Sequence, residues 1–152
     1  MSDIQRTLES AIVSRLNASA FVRADATEVA AVQAVGQGET RLLELLNGAM
    51  DALGVSVMVL TPGLQPLSAV MLRAVCGVRI REAVAINRDA GGSKILGSEL
   101  GVQCWAKLQA WQPGTEWSPV IIQPEGFDQI DADEDTITWL LAFRTETRYY
   151  SQ

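Results

Sequence analysis

Near the N-terminus apolar residues recur at every fourth position. Ile4, Leu8, Ile12 and Leu16 form one stripe, with Asp3, Gln5, Arg6 and Glu9 mostly off it. That spacing predicts an amphipathic helix. Ser2 and Gln5 supply an S-x-x-Q capping box at its start, in which each side chain can satisfy an orphan amide of the first turn. Asn17 to Asp25 reads as a loop with a short strand at Ala20–Arg23. Residues 25–35 fit two patterns, a short helix capped by Asp25 and Glu28 or an alternating strand through AVQAV, and Gly36 and Gly38 end either one. A second helix is expected from Thr40 to Leu53, where Leu42, Leu45, Leu46, Ala49 and Leu53 share a face and Gly54 sits at the C-terminal cap.

The period then changes. VSVMVL at 55–60 is a β-branched run stopped by Thr61-Pro62-Gly63, and Leu64 to Ser68 reads as a proline-containing connector. From Met71 to Ile86 the alternation is strict. Leu72, Ala74, Cys76, Val78, Ile80, Val84 and Ile86 are apolar, with Glu82 the exception, while Arg73, Arg79 and Arg81 take the alternate positions. Period two over that length predicts a long strand with one face on the core and a cationic face elsewhere.

After a turn at Asn87–Gly92, Ser93 caps a helix expected to reach Ala110. Leu96, Leu100, Cys104, Leu108 and Trp111 fall on one face with Trp105 beside them, and Pro113-Gly114 ends the helix. Gly97 and Gly101 each cost this helix about 1 kcal/mol relative to alanine, which suits a close neighbour. A short strand at Val120–Gln123 and a long one at Thr136–Arg148 follow, the latter with Ile137, Trp139, Leu141 and Phe143 on one face. No repeat or linker interrupts this order, so residues 1–152 read as one domain. The expected class is α+β: two layers, a mainly antiparallel sheet with helices packed on one face.

Composition narrows the chemistry. The 152 residues are 48% hydrophobic and 20% charged, and a chain of that size buries roughly 68–70% of its unfolded surface without staples. There is no histidine, which closes Ser-His-Asp and Cys-His nucleophile activation and His-ligated zinc. Cys76 and Cys104 lack CxxC spacing and read as reduced, buried small hydrophobes. No run of 18 apolar residues predicts a membrane span, and MSDIQRTLES lacks the pattern of a secretory signal.

The net charge of −6 is uneven. Residues 54–111 carry three acids and six bases, and residues 112–152 carry eight acids and two bases. The basic excess is too narrow for a chain that clings to nucleic acid. Asp131, Asp133 and Asp135 resemble the start of a calcium loop, but Thr136 and Ala142 stand where that loop needs glycine and glutamate, so an acidic turn between strands is expected. Gly91-Gly92-Ser93-Lys94 lacks the earlier glycine of a phosphate loop and reads as a strand-to-helix turn. Arg73, Arg79 and Arg81 admit two readings. One is a solvated face with cross-strand partners such as Glu146; the other is an oligomer interface meeting the acids at 125–135 of another copy, with Asp131, Asp133 and Asp135 as candidates. Trp105, Trp111, Trp117 and Trp139 are expected as core and interface anchors.

The order of these elements resembles a known family. Asn87-Arg88 follows the long strand and Gly92-Ser93-Lys94 opens the helix, which ends in Leu108-Gln-Ala-Trp111-Gln-Pro113. A short apolar strand, an acidic turn and a last strand with Trp139 and Phe143 complete it. This is similar to the tail terminator and tail-completion proteins of long-tailed bacteriophages, including the phage family known as Gp37 and the lambda-type U protein. The resemblance covers about residues 1–148 and is most specific over 72–143; residues 18–38 do not align to it. It implies a virion assembly protein, not an enzyme, with no cofactor or metal. Such a protein forms a homo-oligomeric ring, expected as a hexamer, that caps the tail tube and joins it to the head connector. Its partners would be itself, the tail tube protein and the connector protein, with DNA only passing through the lumen and no membrane. It would reside in the virion tail, and in the host cytoplasm during assembly. The acidic turn at 128–135 is the first candidate for the lumen wall. Two other readings stand beside this one: a small-ligand-binding α+β domain of cellular origin with a tryptophan-lined pocket, and a cofactor-dependent or carboxylate enzyme using Glu82, Asp89 or Glu99 near the strand-to-helix turn.

Overall fold

The computed structural model describes residues 4–18, 21–22, 28–29, 31–33, 55–83, 96–132 and 136–148. The helix expected at Thr40–Leu53, the segment 84–95 with Asp89 and the glycine turn, and Asp133 and Asp135 lie outside the described residues.

Helix α1 (Ile4–Asn17) follows its predicted stripe, with Leu8, Ile12 and Leu16 at most 1% exposed. Glu9, expected mostly off the stripe, lies beside it and is fully buried. Two side chains fix the helix to the sheet. Gln5 Nε2 donates to the Pro62 carbonyl at 2.8 Å. The Asn17 amide makes a two-way bridge to Ala31, donating to its carbonyl at 3.2 Å and accepting from its N–H at 2.9 Å.

Strands β1 (Phe21–Val22) and β2 (Glu28–Val29) pair antiparallel as a small ribbon. Strand β3 (Ala31–Gln33) then runs parallel to β4 (Val55–Val59), so the strand alternative wins over the helical one where 25–35 is described. Its parallel pairing also makes the sheet mainly, not wholly, antiparallel. Strand β5 (Gly63–Pro66) replaces the expected connector and pairs with β6 (Met71–Ala83). Pro66 is tolerated because it is the last residue of a short strand that pairs on one side only.

Helix α2 (Leu96–Leu108) buries Leu100, Cys104 and Leu108 completely and leaves Trp105 47% exposed. It stops before Pro113. Ala110 adopts φ 62°, in the left-handed region, and its N–H donates to the Val120 carbonyl at 3.1 Å. The chain is thereby turned into the 111–120 segment. Strand β7 (Ile121–Ala132) is three times the expected length, and β8 (Thr136–Arg148) matches its predicted bounds. Register shifts between Ile122 and Phe127 and between Gln129 and Asp131 explain the shortfall. Such bulges reset the period-two pattern, and Pro124 and Gly126 fall in the first of them.

The main sheet runs β3-β4-β6-β8-β7, with β5 pairing β6 beyond this path. One of its faces carries Val55, Val57, Val59, Ala74, Cys76, Val78, Ile80, Leu141 and Phe143, all buried against the apolar faces of α1 and α2. This is the predicted α+β arrangement, with both described helices on one face. Cys76 and Cys104 are free and buried, as expected, and burial pushes each thiol up to about 12.

The helix C-termini cap each other. Lys107 Nζ donates to the Leu16 carbonyl at 2.9 Å, while Arg15 Nε donates to the Lys107 carbonyl at 2.8 Å. The Lys107 ammonium also lies 4.0 Å from the Phe21 ring centroid. Cations at helix C-termini satisfy orphan carbonyls and complement the macrodipole.

Candidate functional site

Residues opposite one another in a sheet share a face, so the register defines what stands on the side away from α1 and α2. One row reads Ser56–Arg81–Thr138–Asp131, and the next reads Met58–Arg79–Leu140–Asp128. Further along come Val75–Arg144–Ile121 and Gln65–Arg73–Glu146. The three predicted arginines therefore do share this face, and Arg144 joins them.

Their environments differ. Arg73 Nη2 pairs with Glu146 Oε1 at 3.1 Å across β6 and β8, which bears out the cross-strand reading at that position. Arg79 and Arg81 are half-buried. Among the side chains that the structure describes, no carboxylate forms an ion pair with Arg79, Arg81 or Arg144. Arg79 Nη2 instead rests 3.9 Å from the Met58 sulfur. Burial, followed by the charge of Arg81, holds the Arg79 guanidinium below its ordinary range. Two like charges are thus kept close and partly dehydrated, a state that an external anion relieves.

Of the predicted acidic partners, Asp131 is in β7 and not in a turn, at the row position next to Thr138 and two strands from Arg81. At about 4.8 Å per strand, those backbone positions are roughly 10 Å apart. Asp128 stands in the same relation to Arg79. Apart from the paired Glu146, the face carries its guanidinium groups on β6 and β8 and its acidic positions on the edge strand β7. Arg144 was within reach of sequence reasoning, since the alternation of Ile137 to Phe143 already assigns even positions of β8 to this face. Asp128 was not, because the bulges hide the strand that carries it.

The 111–120 segment is latched onto the end of β8. Ser118 N donates to the Glu146 carbonyl at 2.8 Å, Thr145 Oγ1 donates to the Ser118 carbonyl at 2.6 Å, and Thr147 Oγ1 donates to the Glu116 carbonyl at 2.7 Å. Beside this latch lies a groove of about 160 Å³ lined by Ile4, Thr7, Glu116, Trp117, Thr147 and Arg148. Trp117 is the one tryptophan in it; Trp105 is half-exposed on α2, and Trp111 and Trp139 are partly buried against the core. Glu82 is buried on the helix-covered face and Glu99 is exposed on α2, and neither lines the groove.

No protein-family model matches this chain, and no curated protein matches it.

Proposed function

We propose that this chain is a virion assembly protein of the tail-terminator type. It forms a homo-oligomeric ring, a hexamer, that caps a tail tube and offers the surface on which the head connector docks, with DNA passing through the lumen. The observation that carries the reading is the polarised sheet face. Arg79, Arg81 and Arg144 have no carboxylate partner among the side chains that the structure describes, while Asp128 and Asp131 hold register positions on the β7 edge of the same face. A ring needs a heterologous contact, in which the arginines of one copy meet the β7 edge of the next and its own β7 edge meets the arginines of the copy before it; a two-fold pairing of the whole face would instead stop at a dimer. Charge complementarity of this kind sets register and encounter rate more than raw affinity. A net charge of −6 lets DNA pass without adhering. The ligand-binding alternative gains no support from the groove, which is smaller than the ~300–1,000 Å³ of small-molecule sites.

Charge reversal in two halves tests the reading. The variant Arg79→Glu/Arg81→Glu and the variant Asp128→Lys/Asp131→Lys should each be monomeric by light scattering. Mixed in equal amounts they should recover a ring-sized mass, because alternating copies restore a complementary pair at every contact. A mixture that stays monomeric while the parent chain forms rings would refute the head-to-tail contact. A parent chain that stays monomeric at all concentrations, low salt and in the presence of tail tubes would refute the ring.

A further inference from the structure

We infer that Arg79 and Arg81, with the hydroxyls of Ser56 and Thr138 on either side of Arg81, form a binding site for a small tetrahedral oxyanion of the phosphate class. Ser56, Arg81 and Thr138 are directly opposed across β4, β6 and β8. Directly opposed residues hold their Cβ atoms about 4.5–5.5 Å apart, so two hydroxyl donors flank the stem of one guanidinium. Arg79 stands two residues along the same strand and face, about 6.6 Å away along the backbone. Forked guanidinium groups at that spacing can each present parallel N–H donors to one anion, which a point-like ammonium cannot do.

Ser56 and Thr138 are only 3% and 9% exposed, so an anion reaches their hydroxyls by moving the side chains that cover them. Two further observations favour an anion here. Among the described side chains Arg79 has as its partner a thioether, a weak acceptor that does not balance the guanidinium charge. The low position of its pKa, from burial and then from Arg81, agrees with that geometry. A dianion would neutralise both arginines at once.

The ligand should be small. The chain carries a net charge of −6, and Asp128 and Asp131 occupy the ends of the two arginine rows. That acidic border opposes a nucleic-acid backbone far more than a single ion. Where the ring reading of the preceding section also holds, the oxyanion competes with the acidic edge of the next copy and loosens assembly. The site itself does not depend on that reading.

The test titrates sodium phosphate into the full chain against sodium chloride at matched ionic strength, following heat of binding and melting temperature and recording mass in the same samples. Phosphate should bind saturably and raise the melting temperature beyond chloride. Arg79→Met/Arg81→Met should weaken binding at least tenfold, and Ser56→Ala/Thr138→Val, which leaves both charges in place, should weaken it several-fold. Equal responses to phosphate and chloride would overturn the inference. So would undiminished phosphate binding in the hydroxyl variant together with either a folded arginine variant that still binds or one that does not fold. A single-stranded 12-mer binding below the phosphate concentration range would overturn it in favour of nucleic acid. Phosphate binding by a strictly monomeric chain would leave this site standing and the ring reading refuted, while rings indifferent to phosphate would do the reverse.

Discussion

Raising the pH tests the packing between α2 and the sheet. Cys76 projects from β6 and Cys104 from α2, both into the core cluster, and burial pushes both thiols from 9.0 up to about 12. At Cys104 the neighbouring Lys107 charge pulls the other way but is the smaller influence. A thiol whose folded pKa is raised contributes its full stability below pH 9 and loses it as the pH climbs toward 12. In that window the unfolded chain has released the proton and the folded chain still holds it. Each thiol should therefore cost the fold about 1.4 kcal/mol per pH unit above 9, or roughly 4 kcal/mol by pH 12. Two such groups remove about 5 kcal/mol by pH 11, comparable with the whole stability of a domain at the lower end of the usual ~5–15 kcal/mol.

Urea unfolding followed by tryptophan fluorescence between pH 8 and pH 11 reads this directly. Lys107 acts in the opposite sense. Its pKa is lowered, chiefly by burial, so it adds a rising contribution with pH just below 10.5. The discriminating comparison is thus with Cys76→Ala/Cys104→Ala, which keeps Lys107. That variant starts less stable, because two small cavities are left, but its stability should fall with pH by about 2 to 3 kcal/mol less per thiol between pH 9 and pH 11. Parallel curves for parent and variant would refute the claim that these thiols are sealed in the core. A thiol reagent should also leave both groups untouched in the native chain at pH 8.

Lys107→Met keeps the apolar stem but removes the donor to the Leu16 carbonyl and the cation over Phe21. With desolvation of the ammonium offsetting part of the loss, the expected destabilisation is about 1–2 kcal/mol, and an unchanged melting temperature would sink the reciprocal-cap account. Gly77→Ala places a Cβ 3.1 Å from Leu60 Cδ1 and 3.2 Å from Leu140 Cδ1. Both neighbours are ends of rotatable side chains, so the cost should stay near 1 kcal/mol in urea unfolding; a loss above about 3 kcal/mol would mean that this face is packed too tightly to yield.

Local pattern determined much of this protein. The stripe of α1, the apolar positions of α2, the two long strands at 71–83 and 136–148 and their core faces all follow from periods of 3.6 and 2, because each has one side against the core. So does the common outward face of Arg73 and Glu146, though the register of β6 against β8 is what sets the two opposite each other. Local pattern failed where a backbone irregularity or a distant partner decides. Bulges concealed three quarters of β7, Pro66 concealed β5, and Ala110, with no glycine or proline of its own, turned the chain by a bond to Val120. Nothing in its neighbours along the chain marks Glu9 as buried. The candidate site divides the same way. Alternation alone put Arg79 and Arg81 on one face, but Ser56, Thr138, Asp128 and Asp131 come from three other strands, and only the register of the folded sheet sets them in the rows of those arginines. Register is a non-local quantity: it is chosen by which faces bury together, and a slip of one residue would have sent every one of these groups to the opposite side.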